Sequence, residues 1–384
     1  MIKIEKKNEC CGCHACFNIC PKNAIEMIED EKGFKYPKIN ENKCINCELC
    51  KKVCPILNKN KISNTPKAYS CINKNENIRM NSSSGGIFTL IAEEIIDKGG
   101  IVFGVQFDND FNVIHSYTSD KEELYKFRGS KYVQSIIGDN YKIIKKFLEE
   151  GKYVLFTGTP CQVEGLYAFL QKDYDNLYTE DIICHGVPSP KVWKKHKEEL
   201  EKQNNSKIKT MNFRDKSDGW LTYCLNYEFE NSNSYKELNS KSNYMQAFLK
   251  NLSIREACYD CKFKTKNRKS DITLADFWGI QNIKPEMNDN KGTSLVIVNS
   301  SKGVALFEKI QEKIKFVETD FEESIKYNPS MTCSPQIPKN RERFFEDIET
   351  MNFDKLVNKY KPKENLFKKF IYISKVVIKK ILKM

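Results

Sequence analysis

Cys10-x2-Cys13-x2-Cys16-x3-Cys20-Pro21 recurs 34 residues further on as Cys44-x2-Cys47-x2-Cys50-x3-Cys54-Pro55. Thiolates two residues apart on a tight loop reach adjacent corners of one iron-sulfur cubane, and the fourth cysteine, ahead of proline, crosses to the other run. The spacing therefore assigns Cys10, Cys13, Cys16 and Cys54 to one 4Fe-4S cluster, and Cys44, Cys47, Cys50 and Cys20 to a second. Pro21 and Pro55 turn the chain away after each crossing ligand. Structural zinc, the competing reading, needs only two Cys-x2-Cys pairs and leaves the third and fourth members of each run without a task.

This is the pattern of a bacterial dicluster ferredoxin fold, and it sets the expectation for residues 1–58. Ala24-Ile-Glu-Met-Ile28 reads as a short strand and Gly33-Phe34 as a turn. A polar stretch with Pro66 makes 59–67 a linker. The remaining chain reads as a mixed α/β body, divided into 68–148 and 149–330, with an extension over 331–384. The fold class is thus α+β in the first domain and α/β in the second.

Composition narrows the function. With 384 residues, 40% hydrophobic content and 16 cysteines in a ferredoxin spacing, the chain supports a large core and reduced thiols. No run of 18 apolar residues and no apolar leader occurs, so the expectation is a cytoplasmic protein, of a low-oxygen cell, without a span. The formal charge of +12 resembles a nucleic-acid signal. Eight lysines against one glutamate crowd residues 361–384, however, and lysine outnumbers arginine 56 to 7. A groove that reads phosphates or bases draws on arginine interleaved with aromatics, which is absent, so nucleic acid is excluded as a partner.

Along the body, Ala68 to Ile72 is strand-like, and Asn81-Ser82-Ser83-Ser84-Gly85-Gly86 precedes Ile87, Leu90, Ile91 and Ile95 at helical spacing. Serines and paired glycines at a helix start offer amides and hydroxyls to a phosphate, or simply an N-cap after a loop. Ile101 to Phe107 and Val113 to Thr118 form a hairpin around Asp108-Asn-Asp110. Arg128-Gly-Ser130-Lys131-Tyr132-Val-Gln134-Ser135 is a polar loop rich in hydrogen-bonding groups. A helix over 140–150 and the strand Tyr153 to Phe156 lead to Thr157-Gly158-Thr159-Pro160-Cys161-Gln162, a strand-turn-helix junction of the kind at which α/β folds place ligands.

Asp181-Ile-Ile-Cys184-His185-Gly186 repeats that arrangement, and Cys258-x2-Cys261 follows in a basic segment. Cys161, Cys184, Cys258 and Cys261 make a further set of four, read as a third 4Fe-4S cluster, with a zinc site or a Cys161 redox thiol as alternatives. His185 is placed to relay protons or to sit satisfied in its loop. Cys11, Cys71, Cys224 and Cys333 read as ordinary thiols.

Phe213-Arg214 to Gly219-Trp220 is a charged turn, and Asp271 to Gly279 is a strand ending in the acidic-aromatic loop Asp276-Phe-Trp278. Together with the cysteine runs, Ser82 to Gly86, Gly129 to Ser135, Thr157 to Gln162 and Cys184-His-Gly186, these blocks resemble the beta subunit family of coenzyme F-420 hydrogenase and dehydrogenase over about residues 1 to 300. Plant 7-hydroxymethyl chlorophyll a reductase is similar and takes another substrate. The resemblance implies FAD beside the central cluster and hydride exchange with a deazaflavin or another small acceptor. It implies flavin contacts from Ser82, Ser83, Ser84, Gly85, Gly86, Ser130, Lys131, Tyr132, Gln134, Thr157, Gly158, Thr159 and Asp276. Lys131 is a candidate to stabilise an anionic reduced ring, and His185 a candidate proton carrier. Ferredoxin or another redox protein is the expected electron partner, with a non-catalytic electron-transfer subunit as the alternative role. Leu366, Phe370, Ile373, Val377 and Ile381 align on one helical face opposite lysines, a pattern that suits contact with anionic lipid or a partner, or packing on its own domain.

Overall fold

The computed structural model describes residues 1–59 and 62–362. The basic helix expected over 365–384, and with it the expected membrane contact, lies outside the described residues. No described helix is long and apolar enough to cross a membrane.

The cysteine repeat folds as a backbone repeat. Gly12 and His14 in the first run, and Asn46 and Glu48 in the second, all take the left-handed conformation, with φ between +52° and +73°. His14 and Glu48 then open the short helices α1 (Ala15–Ile19) and α2 (Leu49–Lys52). The left-handed residues curl each loop so that its thiols face inward. Between the runs, β1 (Ile25–Glu29) and β2 (Lys35–Ile39) pair antiparallel. The strand expected over 24–28 is present, one residue later.

The body is built on one eight-stranded sheet. Its strands are β3 (Lys67–Asn73), β4 (Ile101–Phe107), β5 (Val113–Thr118), β6 (Val154–Gly158), β7 (Leu177–Ile182), β11 (Ile272–Asp276), β12 (Ser294–Val298) and β13 (Ile314–Thr319). Between β7 and β11 in the chain, β8 (Ile208–Asp215), β9 (Cys224–Phe229) and β10 (Ser234–Leu238) form a separate three-stranded antiparallel sheet. The large sheet runs in the order β13-β3-β12-β11-β7-β6-β4-β5. β4, β6, β7 and β11 are mutually parallel, and the outer strands pair antiparallel. β3 of the first body segment lies between β12 and β13 of the second, so residues 68–148 and 149–330 share one sheet.

Both faces of the sheet are covered, which is why β12 reads Ser-Leu-Val-Ile-Val with every residue buried. Helix α3 (Glu76–Met80) leads into the Ser82 loop, and α4 (Ile87–Asp97) packs on one face through Ile87, Leu90, Ile91 and Ile95. On the opposite face lie α5 (Asn140–Glu149) and α6 (Pro160–Leu170). The cysteine domain seats against these two helices. Gly165 of α6 lets the loop approach, since a Cβ there would stand 2.8 Å from Cys13 Cβ and 3.0 Å from its Sγ. Buried Asn18 donates to the Gly138 carbonyl across the junction at 2.9 Å.

Candidate iron-sulfur and flavin sites

Two cavities lined by cysteines are visible in the described residues. Cys10, Cys13, Cys16 and Cys54 line one cavity together with Ile2, Ile4, Met27, Pro37 and Ile56, the apolar wall expected of a buried cubane. Of the set expected to hold the second cluster, Cys50 is buried, Cys20 and Cys44 are half-buried and Cys47 is exposed. The Ile2 and Ala24 amides donate to Cys50 Sγ and Cys20 Sγ, each at 3.2 Å, the kind of N–H to sulfur bond that tunes cluster potentials.

The third set comes from four separate places in the chain. β6 ends in Thr157-Gly158, the Thr159 amide donates to Gln162 Oε1 at 2.9 Å as a helix cap, and Pro160 starts α6, which sets Cys161 in its first turn. β7 runs into Cys184, and a 3-10 helix at Glu256–Asp260 carries Cys258 with Cys261 just beyond it. All four thiols line one cavity of about 510 Å³, out to its open mouth, shared with Pro160, Lys264 and Arg268. Burial pushes the Cys258 thiol up to about 12 and Cys184 higher still, so both hold protons until a metal displaces them. Among the described residues no three Cys, His, Asp or Glu side chains converge on a point that would hold a single ion.

Cys11, expected to be an ordinary thiol, lines both the central cavity and the one ringed by Cys10, Cys13, Cys16 and Cys54. Its local pattern, a second cysteine beside Cys10, carried no sign of that position. Cys71 and Cys224 are buried and Cys333 is exposed. His185 sits at the central cavity with Nε2 2.7 Å from Asn251 Oδ1 and Nδ1 3.4 Å from Ser330 Oγ. Burial holds its ring below the usual imidazole range, so it is a neutral loop anchor at the cavity edge.

Of the residues expected to hold a flavin, Ser83, Ser130, Tyr132 and Asp276 are joined by hydrogen bonds, and Asp276 and Gly158 end the strands β11 and β6. Ser83 Oγ lies 2.9 Å from Ser130 Oγ and accepts from the Ser130 amide at 2.7 Å, which fastens the two loops together. Ser82 Oγ donates to the Ile78 carbonyl, and Ser84 Oγ to the Thr293 carbonyl. These hydroxyls are thus partly spent on holding the loop, while the Ser83 and Ser84 amides donate to no acceptor among the described residues. Gly85 is required by close approach, because a Cβ would stand 2.4 Å from the Cys71 carbonyl oxygen.

Arg214 organises this region, a role its place in a charged turn did not disclose. Its guanidinium forms a bidentate pair with Asp276 at 3.0 and 3.1 Å, donates to Tyr132 Oη and the Ser83 carbonyl, and stacks 3.9 Å from the centroid of Tyr223. Three of the residues expected to contact flavin, Ser83, Tyr132 and Asp276, therefore belong to one network. Trp220 donates to Asp276 at 2.9 Å and stacks on Trp278 with ring centroids 5.0 Å apart. Lys216, buried nearby, donates to the carbonyls of Arg79, Ser84 and Lys291, and burial pushes its ammonium down to about 7.

Lys131 is placed differently from its expected role. Its ammonium donates to the carbonyls of Lys126 and Arg128 at 2.7 and 2.9 Å, which closes the end of a 3-10 helix. Burial pushes its pKa down to about 7. Gln134 also points elsewhere: its side chain bonds the Cys11 carbonyl and Arg255, at the cysteine domain. Thr159 Oγ1 lies 3.2 Å from Cys161 Sγ, and Thr157 Oγ1 donates to the Phe103 carbonyl.

Residues 9–57 match the 4Fe-4S dicluster domain. Residues 68–138 match the N-terminal part of the coenzyme F420 hydrogenase/dehydrogenase beta subunit, and 151–324 match its C-terminal part. Among solved structures, a chain of the F420-reducing [NiFe] hydrogenase complex from Methanosarcina barkeri is similar at 17% identity and a TM-score of 0.46. The match covers 78% of this chain and 93% of that one. No curated protein sequence matches.

Proposed function

The chain belongs to the coenzyme F420 hydrogenase/dehydrogenase beta subunit family and carries a 4Fe-4S dicluster domain ahead of it; on that premise we propose an iron-sulfur flavoprotein oxidoreductase. It takes electrons from a ferredoxin-type donor through three 4Fe-4S clusters to FAD and delivers them as hydride to a small acceptor. The observation that carries this reading is the pair of cavities, each lined by one set of four cysteines together with Cys11, that meet at Cys11 and Ile56. A cluster in each would make one continuous route from the cysteine domain into the body.

Each set of residues has a stated task. Cys20, Cys44, Cys47 and Cys50 hold the cluster nearest solvent, and exposed Ile45, Cys47 and Leu57 give a redox partner an apolar landing. Cys161, Cys184, Cys258 and Cys261 hold the cluster at the carboxyl end of the sheet. The Ser83 and Ser84 amides at the start of α4 suit the flavin diphosphate. FAD, when bound, stores single electrons and releases them as a hydride. Arg214, fixed by Asp276, holds the Ser83 carbonyl and the Tyr132 hydroxyl in the same region. Trp220 and Trp278 form a flat apolar wall beside it.

Anaerobic reconstitution of the full chain with iron, sulfide and FAD, followed by gel filtration and absorbance, tests the flavin assignment. Co-eluting flavin, reduced by dithionite and reoxidised by the deazaflavin coenzyme or another low-potential acceptor, is the expected result. Absence of any flavin binding would remove the oxidoreductase reading.

A further inference from the structure

Five arginines are buried in the described residues: Arg79, Arg214, Arg255, Arg268 and Arg341. Four of them have a carboxylate within 4.0 Å: Asp289 for Arg79, Asp276 for Arg214, Asp181 for Arg268 and Glu256 for Arg341. Arg255 has none among the described residues, although its side chain is 0% exposed. Its guanidinium donates instead to the Cys10 carbonyl at 2.8 Å, the Lys35 carbonyl at 3.0 Å and Gln134 Oε1 at 3.0 Å, and lies 4.2 Å from the Tyr36 ring centroid. Neutral dipoles satisfy its hydrogen bonds but not its charge, and an unpaired cation is strongly unfavourable in a buried site.

Its surroundings supply the missing anion. Arg255 holds the Cys10 carbonyl, next to one cluster ligand, and lies three residues before Cys258, a ligand of the other set. Gly12, with φ of +73°, leaves room for it, since a Cβ there would stand 3.0 Å from Arg255 Nη1 and 2.6 Å from Gln134 Nε2. The two cavities meet at Cys11, next to the Cys10 carbonyl that Arg255 holds. A 4Fe-4S cubane with four thiolates carries a net negative charge that grows by one on reduction.

We infer that Arg255 is the electrostatic junction between the first ferredoxin cluster and the central cluster: a buried cation whose counter-charges are the two clusters. It acts as a positioning residue. It ties the Cys10 loop to the body, and its charge stabilises the reduced form of both neighbours, which raises both reduction potentials relative to the distal cluster. Electrons arriving at the exposed cluster are thereby drawn inward. The inference rests on the proposal that Cys161, Cys184, Cys258 and Cys261 hold a cluster.

An EPR-monitored redox titration of the reconstituted full chain reads this directly. Arg255→Gln shifts the midpoints of the Cys10-set and central clusters to more negative potential and leaves the Cys20-set cluster in place, whereas Arg255→Lys stays near wild type. Gln134→Glu keeps the arginine and gives it a carboxylate at the existing 3.0 Å contact; it shifts the same two midpoints negative, and it serves as the test where Arg255→Gln fails to assemble. Unchanged midpoints in Gln134→Glu, or equal shifts at all three clusters, would overturn the inference. If the central cluster proves absent, the earlier proposal fails on its own, and the midpoint of the Cys10-set cluster still decides the role of Arg255.

Discussion

Gly165→Ala gives opposite signs depending on whether the cysteine domain is seated on α6. In a helix interior, alanine in place of glycine stabilises by roughly 0.5–1 kcal/mol, because glycine loses more backbone entropy on folding. At this position, however, the new methyl would stand 2.8 Å from Cys13 Cβ, 3.0 Å from Cys13 Sγ and 3.1 Å from Tyr141 Oη. None of these is a loose end. Cys13 is held in a left-handed loop between Gly12 and His14, and Tyr141 is fully buried and donates to the Gln162 carbonyl at 2.7 Å. Overpacking of this kind costs about 1–3 kcal/mol. The net expectation is a destabilisation of about 1–2 kcal/mol by urea unfolding, accompanied by faster cluster bleaching in the presence of a chelator because Cys13 is displaced. A variant more stable than wild type by roughly 0.5–1 kcal/mol, with unchanged cluster lability, would refute the docking of the cysteine domain on α6.

Two further outcomes follow from buried charges. Asp276→Ala leaves the Arg214 guanidinium buried without its bidentate partner, which costs about 3–5 kcal/mol of stability, while Arg214→Met with Asp276→Leu costs less than Asp276→Ala alone; urea midpoints of the two variants check the order. Glu180 is buried on β7 with Oε2 unpartnered, and burial pushes its carboxyl up to about 8. The folded chain therefore binds a proton that the unfolded chain releases near pH 4.5, so wild-type stability declines as pH rises from that value to about 8 and then levels. Glu180→Gln removes this decline and is more stable than wild type by a few kcal/mol at about pH 9 but not at about pH 5. An equal difference at both pH values would contradict the assignment.

The parts of the site that could be read from sequence are those governed by local spacing. The two cysteine runs read alike in sequence and fold alike, because each loop repeats the same left-handed turns at Gly12 and His14, and at Asn46 and Glu48. The strand-turn-helix signature at Thr157 to Gln162 placed Cys161 correctly at a helix start, since a proline and a cap define that junction locally. Relations across the chain were not legible. Arg214 reaches Asp276 over 62 residues and Arg255 reaches Cys10 over 245, and no local pattern encodes either. Lys131 reads as a candidate to stabilise a reduced ring, and the sequence does not show that backbone carbonyls at the end of a 3-10 helix take its ammonium. The insertion of β3 between β12 and β13 likewise depends on long-range pairing, and it joins two segments that composition separates.

The central claim is that three clusters share this chain, two in the cysteine domain and one at Cys161, Cys184, Cys258 and Cys261. Iron and zinc analysis of anaerobically reconstituted protein, with the quadruple Cys→Ser variant of those four positions as comparison, tests it most directly. About twelve irons and no stoichiometric zinc are expected in the wild type, and about eight irons in the variant. Equal iron in the two proteins, or one zinc per chain lost with the four cysteines, would contradict it.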